Sequence, residues 1–86
     1  MGTGEMNRQA AYIMDEWDPF SVGSGHYEIE ITGVLAQLEL LDDPSSLAKQ
    51  IQRIYKSSFT QWIPLEKCVE VSYKLLALKF EAKSII

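Results

Sequence analysis

Apolar residues recur at helical spacing in four successive segments of the chain. Steps of three and four residues place them on one face of a helix, whereas a strand would alternate. The segments cover residues 3–17, 26–41, 44–59 and 64–80. The pattern therefore predicts an all-α fold, a small four-helix bundle that occupies residues 1–86 as a single domain.

Prolines and an aspartate mark the ends of these segments. Pro19 disfavours the helical conformation of the residue before it, so the first helix should end near Trp17. Asp43 can accept a hydrogen bond as an N-cap, with Pro44 at the first helical position, and Pro64 starts the fourth helix in the same way. The second helix contains Gly33 in its interior, which predicts a close approach by a neighbouring helix.

The longest connection, residues 18–25, is rich in proline, glycine and serine but also contains Phe20 and Val22. A large aromatic residue in a loop is usually held by packing. We therefore expect Phe20 to be tucked under the helix ends and the loop to be ordered. Trp17, Phe20 and Tyr27 would then form a bracket that holds the first helix against the second.

The fourth helix carries more apolar residues than one stripe accommodates. A helix of this kind is either central in its fold or half of a subunit interface. Its apolar positions are Leu65, Cys68, Val69, Val71, Tyr73, Leu75, Leu76, Leu78 and Phe80.

Composition narrows the class of protein. The chain has 86 residues, of which 47% are hydrophobic and 23% are charged, as in soluble globular domains. Its apolar runs are shorter than the roughly 20 residues that span a bilayer, and its first residues do not resemble a secretory signal. The single cysteine, Cys68, cannot form an internal disulfide and is expected to be a small buried side chain. These features predict a cytoplasmic protein.

Charge is distributed unevenly along the chain. Residues 1–43 contain nine acids and one base, whereas residues 44–86 contain seven bases and three acids. Either the two halves pack together and neutralise each other, or the acidic half faces a basic partner. The net charge of −4 argues against nucleic acid as a partner, since binding to the phosphate backbone needs a clustered basic face.

One stretch of the chain combines side chains that could carry chemistry: Asp18, His26, Glu28 and Glu30. Such side chains can bind a divalent metal or act as a general acid and base. Only His26 and Glu30 have the i, i+4 spacing of helical metal ligands, so capping of the second helix explains the stretch better. We therefore predict no catalytic residue, metal site or cofactor, and the glycines match no phosphate-binding loop.

Trp62 lies in a turn, outside every apolar stripe. We expect it to be partly exposed, and exposed tryptophan is enriched at protein interfaces.

Four motifs together resemble a known family, the YugE-like proteins of Bacillus that are classed as domain of unknown function 1871. The motifs are Trp17-Asp18-Pro19-Phe20, Gly25-His26-Tyr27-Glu28-x-Glu30, Ile51-x-x-Ile54-Tyr55-x-x-Ser58-Phe59 and Ile63-Pro64-Leu65-Glu66-x-Cys68. The resemblance covers Tyr12 to Leu78 and implies a compact all-helical fold, without an activity or catalytic residues. Related sequences tend to carry glycine where this chain has Ser21.

Three functional hypotheses remain open. The first is a protein-binding or adaptor module that self-associates through the fourth helix and offers the Trp17 to Glu30 stretch, or its acidic surroundings, to a partner. The second is a small metal-dependent or hydrolytic enzyme built on that same stretch. The third is an immunity-type or regulatory subunit that masks a basic partner.

Overall fold

The protein is an all-α bundle, as the sequence predicts. The computed structural model describes residues 3–23 and 25–83, and the side chains of residues 4–23 and 25–82. Within these ranges there are four α-helices and no strand. The helices are α1 (Thr3–Trp17), α2 (Glu28–Leu40), α3 (Pro44–Phe59) and α4 (Leu65–Lys83).

The bounds of α1 and α3 agree with the prediction. The N-cap of α3 is Asp43, whose Oδ2 accepts hydrogen bonds from the Ser46 amide (2.9 Å) and hydroxyl (3.0 Å). Pro44 follows at the start of the helix, where the missing amide hydrogen costs nothing. At the other end, Thr60 adopts a left-handed conformation (φ 56°) and its amide donates to the Lys56 carbonyl at 2.8 Å.

Helix α2 is shorter than the predicted range 26–41. Tyr27 has φ −121° and ψ 22°, outside the helical region, so the helix begins at Glu28. At the other end Leu41 is extended, with φ −113° and ψ 140°, and the helix ends at Leu40. Glu28 and Glu30 lie in the first turn, where carboxylates interact favourably with the free amides of a helix N-terminus.

Helix α4 is longer than the predicted range 64–80. It begins at Leu65, and the Pro64 carbonyl accepts hydrogen bonds from the amides of Lys67 (3.0 Å) and Cys68 (3.3 Å). It packs against both α1 and α3, and most of its apolar side chains are buried in the protein's own core. The wide apolar face of α4 is therefore explained mainly by its central place in the fold.

A buried lysine of α4 caps the C-terminus of α2. The Lys79 Nζ donates to the carbonyls of Leu38 (2.5 Å), Leu41 (2.8 Å) and Glu39 (3.3 Å), and it lies 2.9 Å from the Asp42 carboxylate. The last carbonyls of a helix have no partners within it, and a cation interacts favourably with that end. The pattern of apolar positions on α4 does not predict this cap, because the accepting carbonyls belong to another helix.

The helices pack in chain order around one core. Each contacts its two neighbours, while α2 and α4 lie across the diagonal. A Cβ added to Gly33 would lie 3.4 Å from the Ile54 Cδ1, so the predicted close approach at this glycine is confirmed, with α3 as the neighbour.

The core is built mainly from apolar side chains of the four helices, together with Ile63 of the α3–α4 connection. Of the apolar positions predicted on α4, Leu65, Tyr73 and Phe80 are exposed. The buried apolar side chains are Met6, Ala10, Met14, Tyr27, Ile31, Val34, Leu38, Leu47, Ala48, Ile51, Tyr55, Ile63, Cys68, Val71, Leu75, Leu76 and Leu78. Outside the core, the most exposed large apolar side chains lie on α2, where Ile29 is 82% and Leu40 is 76% exposed.

No helix in the described part of the chain is both long enough and apolar enough to cross a membrane.

Candidate functional site

The loop between α1 and α2 folds around the carboxylate of Asp18. Its Oδ1 accepts hydrogen bonds from the Val22 amide at 2.9 Å and the Tyr27 hydroxyl at 2.5 Å, and its Oδ2 accepts from the Gly23 amide at 3.0 Å. The carbonyl of Asp18 also accepts from the Ser21 amide, at 3.1 Å. One side chain therefore organises a turn that carries little secondary structure of its own.

Two further hydrogen bonds tie the loop to its flanking helices. The Tyr27 hydroxyl accepts from the Phe20 amide at 3.2 Å, so this phenol both donates and accepts. The Asp15 carboxylate, in the last turns of α1, accepts from the Gly25 amide at 2.9 Å. These contacts hold residues 18–23 and 25 of the loop to both helices, as expected for an ordered loop, and Ser24 lies outside the described residues.

The backbone of the loop turns through left-handed conformations. Gly23 (φ 91°) and Gly25 (φ 85°) adopt them without penalty, whereas Asp18 (φ 35°) and Ser21 (φ 55°) have side chains. An L-residue in this region costs roughly 1–2 kcal/mol. Ser21 therefore occupies a position whose conformation favours glycine.

Beneath the loop lies an aromatic cluster formed by Trp17, Phe20, Tyr27, Tyr55 and Phe59. Phe20 packs against Phe59 with ring centroids 4.7 Å apart, and Tyr27 lies 5.5 Å from both Tyr55 and Phe59. Trp17 meets Tyr55 edge to face at 5.6 Å. Such pairs add about 0.5–1.5 kcal/mol each to the energy of burial.

Helix α3 thus contributes to the bracket that the sequence predicts between α1 and α2. Tyr55 and Phe59 are one helical turn apart near the end of α3 and present adjacent rings to the loop. The bracket predicted from the sequence included neither Tyr55 nor Phe59. The available signal was an i, i+4 pair of aromatics at a helix C-terminus.

The pKa values of Asp18 and Tyr27 are shifted in opposite directions. The hydrogen bond from Tyr27, followed by the amides of Val22 and Gly23, lowers the pKa of Asp18 despite partial desolvation. Burial and then the bond to Asp18 raise the pKa of Tyr27 to about 12. The pair is therefore a neutral phenol donating to a carboxylate at neutral pH.

Two other groups are buried without acidic or nucleophilic character. Burial, with a further contribution from the charge of Glu30, raises the pKa of Tyr55, and its hydroxyl has no hydrogen-bond partner in the described part of the structure. Burial alone raises the pKa of the Cys68 thiol to about 11. Since the thiolate is the reactive form, Cys68 is an inert buried side chain, as predicted.

The structure brings together three of the four residues considered for metal or acid–base chemistry but not the fourth, Asp18. His26, Glu28 and Glu30 line a shallow depression of about 450 Å³ with Ser58 and Phe59. The Asp18 carboxylate is directed instead into the loop, where it accepts from two amides and a phenol. Among the described side chains, no three His, Cys, Asp or Glu residues are placed to hold one metal ion.

The remaining residues of the predicted motif differ in how far their side chains are buried. Trp17, Pro19 and Phe20 are half-buried, and Tyr27 is fully buried. Trp62 is 63% exposed, which confirms the expectation for this turn, and the Lys56 ammonium lies 5.6 Å from the centre of its ring. Close to it, a depression of about 430 Å³ is lined by Pro19, Phe20, Ser21, Val22, Phe59 and Gln61.

A third surface feature, which the sequence does not indicate, is a groove between α1 and α2. It has a volume of about 620 Å³ and is lined by Arg8, Ala11, Tyr12, Asp15, Gly25, Glu28, Ile31, Thr32 and Leu35.

Comparison with known proteins places this architecture in a family. The family model described as "Domain of unknown function (DUF1871)" matches residues 9–85. The chain belongs to this family. The resemblance inferred from the four motifs is thereby confirmed.

Individual relatives agree in sequence and in fold. The chain is 40% identical over 72 residues to the uncharacterized protein YugE of Bacillus subtilis, a match that covers 84% of each sequence. It is also similar to the crystal structure of a protein called APC36109 from Bacillus stearothermophilus, at 35% identity and a TM-score of 0.89. That match covers 91% of this chain and 96% of the other. Because the family is one of unknown function, it assigns no activity.

Proposed function

We propose that the protein is a small cytoplasmic protein-binding module, which uses the loop end of the bundle to contact its partner. This loop end consists of the α1–α2 loop and the α3–α4 connection. The supporting observation is that hydrogen bonds of Asp18 and Tyr27 hold the loop from within, while Val22 of the loop and Trp62 of the connection are exposed. A preorganised surface loses little conformational entropy when it binds.

Trp62 and Val22 are the apolar side chains that this end offers. Both are exposed, and Val22 lines the depression whose other side is formed by Phe59 and Gln61, the residue before Trp62. Tryptophan contributes disproportionately to binding energy where it becomes buried at an interface. A partner side chain inserted into the depression would contact both segments of the loop end.

Cytoplasmic location is supported by the state of the cysteine. Cys68 is free and buried, as expected for a protein of a reducing compartment.

Site-specific photo-cross-linking tests the proposal. A photoreactive amino acid at Val22, introduced into the protein in the cells that produce it, should form a discrete adduct with another protein. The same residue at Lys74, on the exposed side of α4, is the control and should not. Loss of the adduct in a Trp62→Ala background would locate the contact at the loop end. Equal adducts from both positions would contradict the proposal.

Self-association through α4 is the second candidate. It is supported by Tyr73, which is 61% exposed, together with the partly exposed Leu65 and Phe80 on the same helix. Because most other apolar residues of α4 are buried, this surface is smaller than the sequence suggested. Sedimentation velocity should show a dimer that Tyr73→Glu converts to monomer; a wild-type monomer at high concentration would contradict it.

A further inference from the structure

The groove between α1 and α2 combines an apolar floor with an exposed aromatic wall. Ala11 of α1 and Ile31 and Leu35 of α2 form the floor, and Tyr12, which is 66% exposed, forms one wall. The lining extends from Arg8 to Asp15 on α1, about two helical turns or roughly 10 Å. These are the dimensions of one face of a short helix, which commonly packs its apolar side chains into such a groove.

The charges around the groove are mainly negative. Asp15 and Glu28 lie at the end of the groove nearest the loop, and Arg8 lies towards the other end. Helices α1 and α2 together carry six acids and one base. Among the described side chains, the ion pair between Lys79 and Asp42 links the basic half of the chain to the acidic half. It lies at the C-terminal end of α2, so it does not neutralise the acids of the groove.

We propose that this groove binds a basic amphipathic helix of another protein. The apolar residues of that helix, spaced at i, i+3 or i+4, and i+7, occupy the floor beside Tyr12, while its lysine or arginine residues meet Asp15 and Glu28. The inference rests on the proposed function, a protein-binding module, and adds a second surface and the chemistry of the partner.

A second copy of the chain does not supply such a helix. Lys49 and Arg53 lie on the exposed side of α3, but that side carries no large apolar residue among the described side chains, because the apolar face of α3 is buried. The exposed side of α4 does carry Tyr73, but its charges are nearly balanced between glutamates and lysines. Neither surface is both basic and apolar.

A helix-constrained peptide of about 16 residues provides the probe, since unconstrained helices of this length are marginal in water. It carries leucines at i, i+4 and i+7 with lysines on both sides of that stripe. Fluorescence anisotropy with the intact protein should show saturable binding that weakens as salt is added. A matched peptide in which glutamates replace the lysines should bind at least about tenfold more weakly.

Matched variants locate the binding site. Tyr12→Ala and Glu28→Lys should each weaken binding of the lysine peptide by about tenfold, the effect of losing a well-packed interface contact. The controls are Tyr73→Ala, which removes an equally exposed tyrosine, and Glu66→Lys, which makes the same charge change in the first turn of another helix. Both controls should leave affinity within about twofold, since they lie outside the groove.

Three outcomes would overturn the inference: no binding of the lysine peptide, equal binding of the glutamate peptide, or equal effects of the groove variants and their controls. A homodimer that Tyr12→Ala dissociates would also overturn it and would assign the groove to a second copy. The proposed function fails separately, when cross-linking from Val22 captures no partner. If cross-linking from Val22 captures a partner but the lysine peptide does not bind, the groove proposal is wrong and the proposal for the loop end stands.

Discussion

The hydroxyl groups of Tyr27 and Tyr55 are both buried in the aromatic cluster, yet only one of them is paired within the described structure. The Tyr27 hydroxyl donates to Asp18 and accepts from the Phe20 amide, whereas the Tyr55 hydroxyl has no partner there. Removing one partner of a buried hydrogen bond leaves the other unsatisfied, whereas removing an unpaired hydroxyl does not. Two chemically identical substitutions should therefore have different effects.

Tyr27→Phe should lower the free energy of unfolding by about 1–3 kcal/mol, because the Phe20 amide and the Asp18 carboxylate each lose a partner. Tyr55→Phe should leave it unchanged or raise it by up to about 1 kcal/mol. Urea unfolding at neutral pH, monitored by circular dichroism, gives both values. Equal destabilisation by the two substitutions would show that the hydroxyl of Tyr55 is satisfied, for instance by a buried water.

Thr60 is a β-branched residue in a left-handed conformation at the end of α3 (φ 56°). This conformation is costly for such residues and is the usual one for glycine after a helix C-terminus. Thr60→Gly should raise the free energy of unfolding by about 1 kcal/mol, measured by urea unfolding. Thr32→Gly, in the interior of α2, is the control and should lower it by about 0.5–1 kcal/mol. A destabilising Thr60→Gly would refute the assignment of strain.

The sequence pattern points to the correct residues of the loop, and most of their expected roles hold in the structure. Asp18, His26, Glu28 and Glu30 stand out because of their chemistry, and they are interpreted from the sequence as helix caps and turn formers. Glu28 and Glu30 do begin α2, and Asp18 does organise the turn. The partner of Asp18, the Tyr27 hydroxyl, could not be predicted, because its position depends on a loop conformation that spacing does not define.

At the scale of elements, Lys79 joins the helices that lie across the diagonal of the bundle. Lys79 is a residue of α4. Its ammonium group donates hydrogen bonds to three carbonyls at the end of α2 and forms an ion pair with Asp42. Helix ends are stabilised by cations, but these usually come from the last turn of the same helix. The last turn of α2 contains no basic residue.

Lys79→Met should lower the free energy of unfolding by about 2–4 kcal/mol, because methionine preserves the buried stem but leaves the carbonyls unsatisfied. Lys74→Met, an exposed position on the same helix, should stay within about 0.5 kcal/mol of the wild type. Thermal or urea unfolding distinguishes the two. A small effect of Lys79→Met would indicate that water replaces the ammonium group at the end of α2.

At the scale of the whole molecule, the stability of the protein should depend on the ionisation of Asp18. The folded protein lowers the pKa of this carboxyl below 3.8, chiefly through the hydrogen bond from Tyr27. A carboxyl whose pKa is lower in the folded state stabilises the fold above the pKa of the unfolded state. That contribution is lost as pH falls through the folded-state value.

The free energy of unfolding of the wild type should therefore exceed that of Asp18→Asn by a constant amount near neutral pH, and the difference should shrink below about pH 4. Unfolding curves for both proteins between neutral pH and the acid limit of folding give this difference directly. A difference that stays the same across the whole range would contradict the proposed role of the ionised carboxylate.

Local signals in the sequence are enough to predict the four helical segments, the ends of α1 and α3 and most of the core, because periodicity, prolines and caps act over a few residues of chain. The sequence also determines the asymmetry of charge, since that follows from composition. Three features become visible only in the folded protein: α3 completes the aromatic cluster, Lys79 caps α2, and a groove lies between α1 and α2. These features depend on distances between residues far apart in sequence, and those distances arise only when the four helices pack around one core.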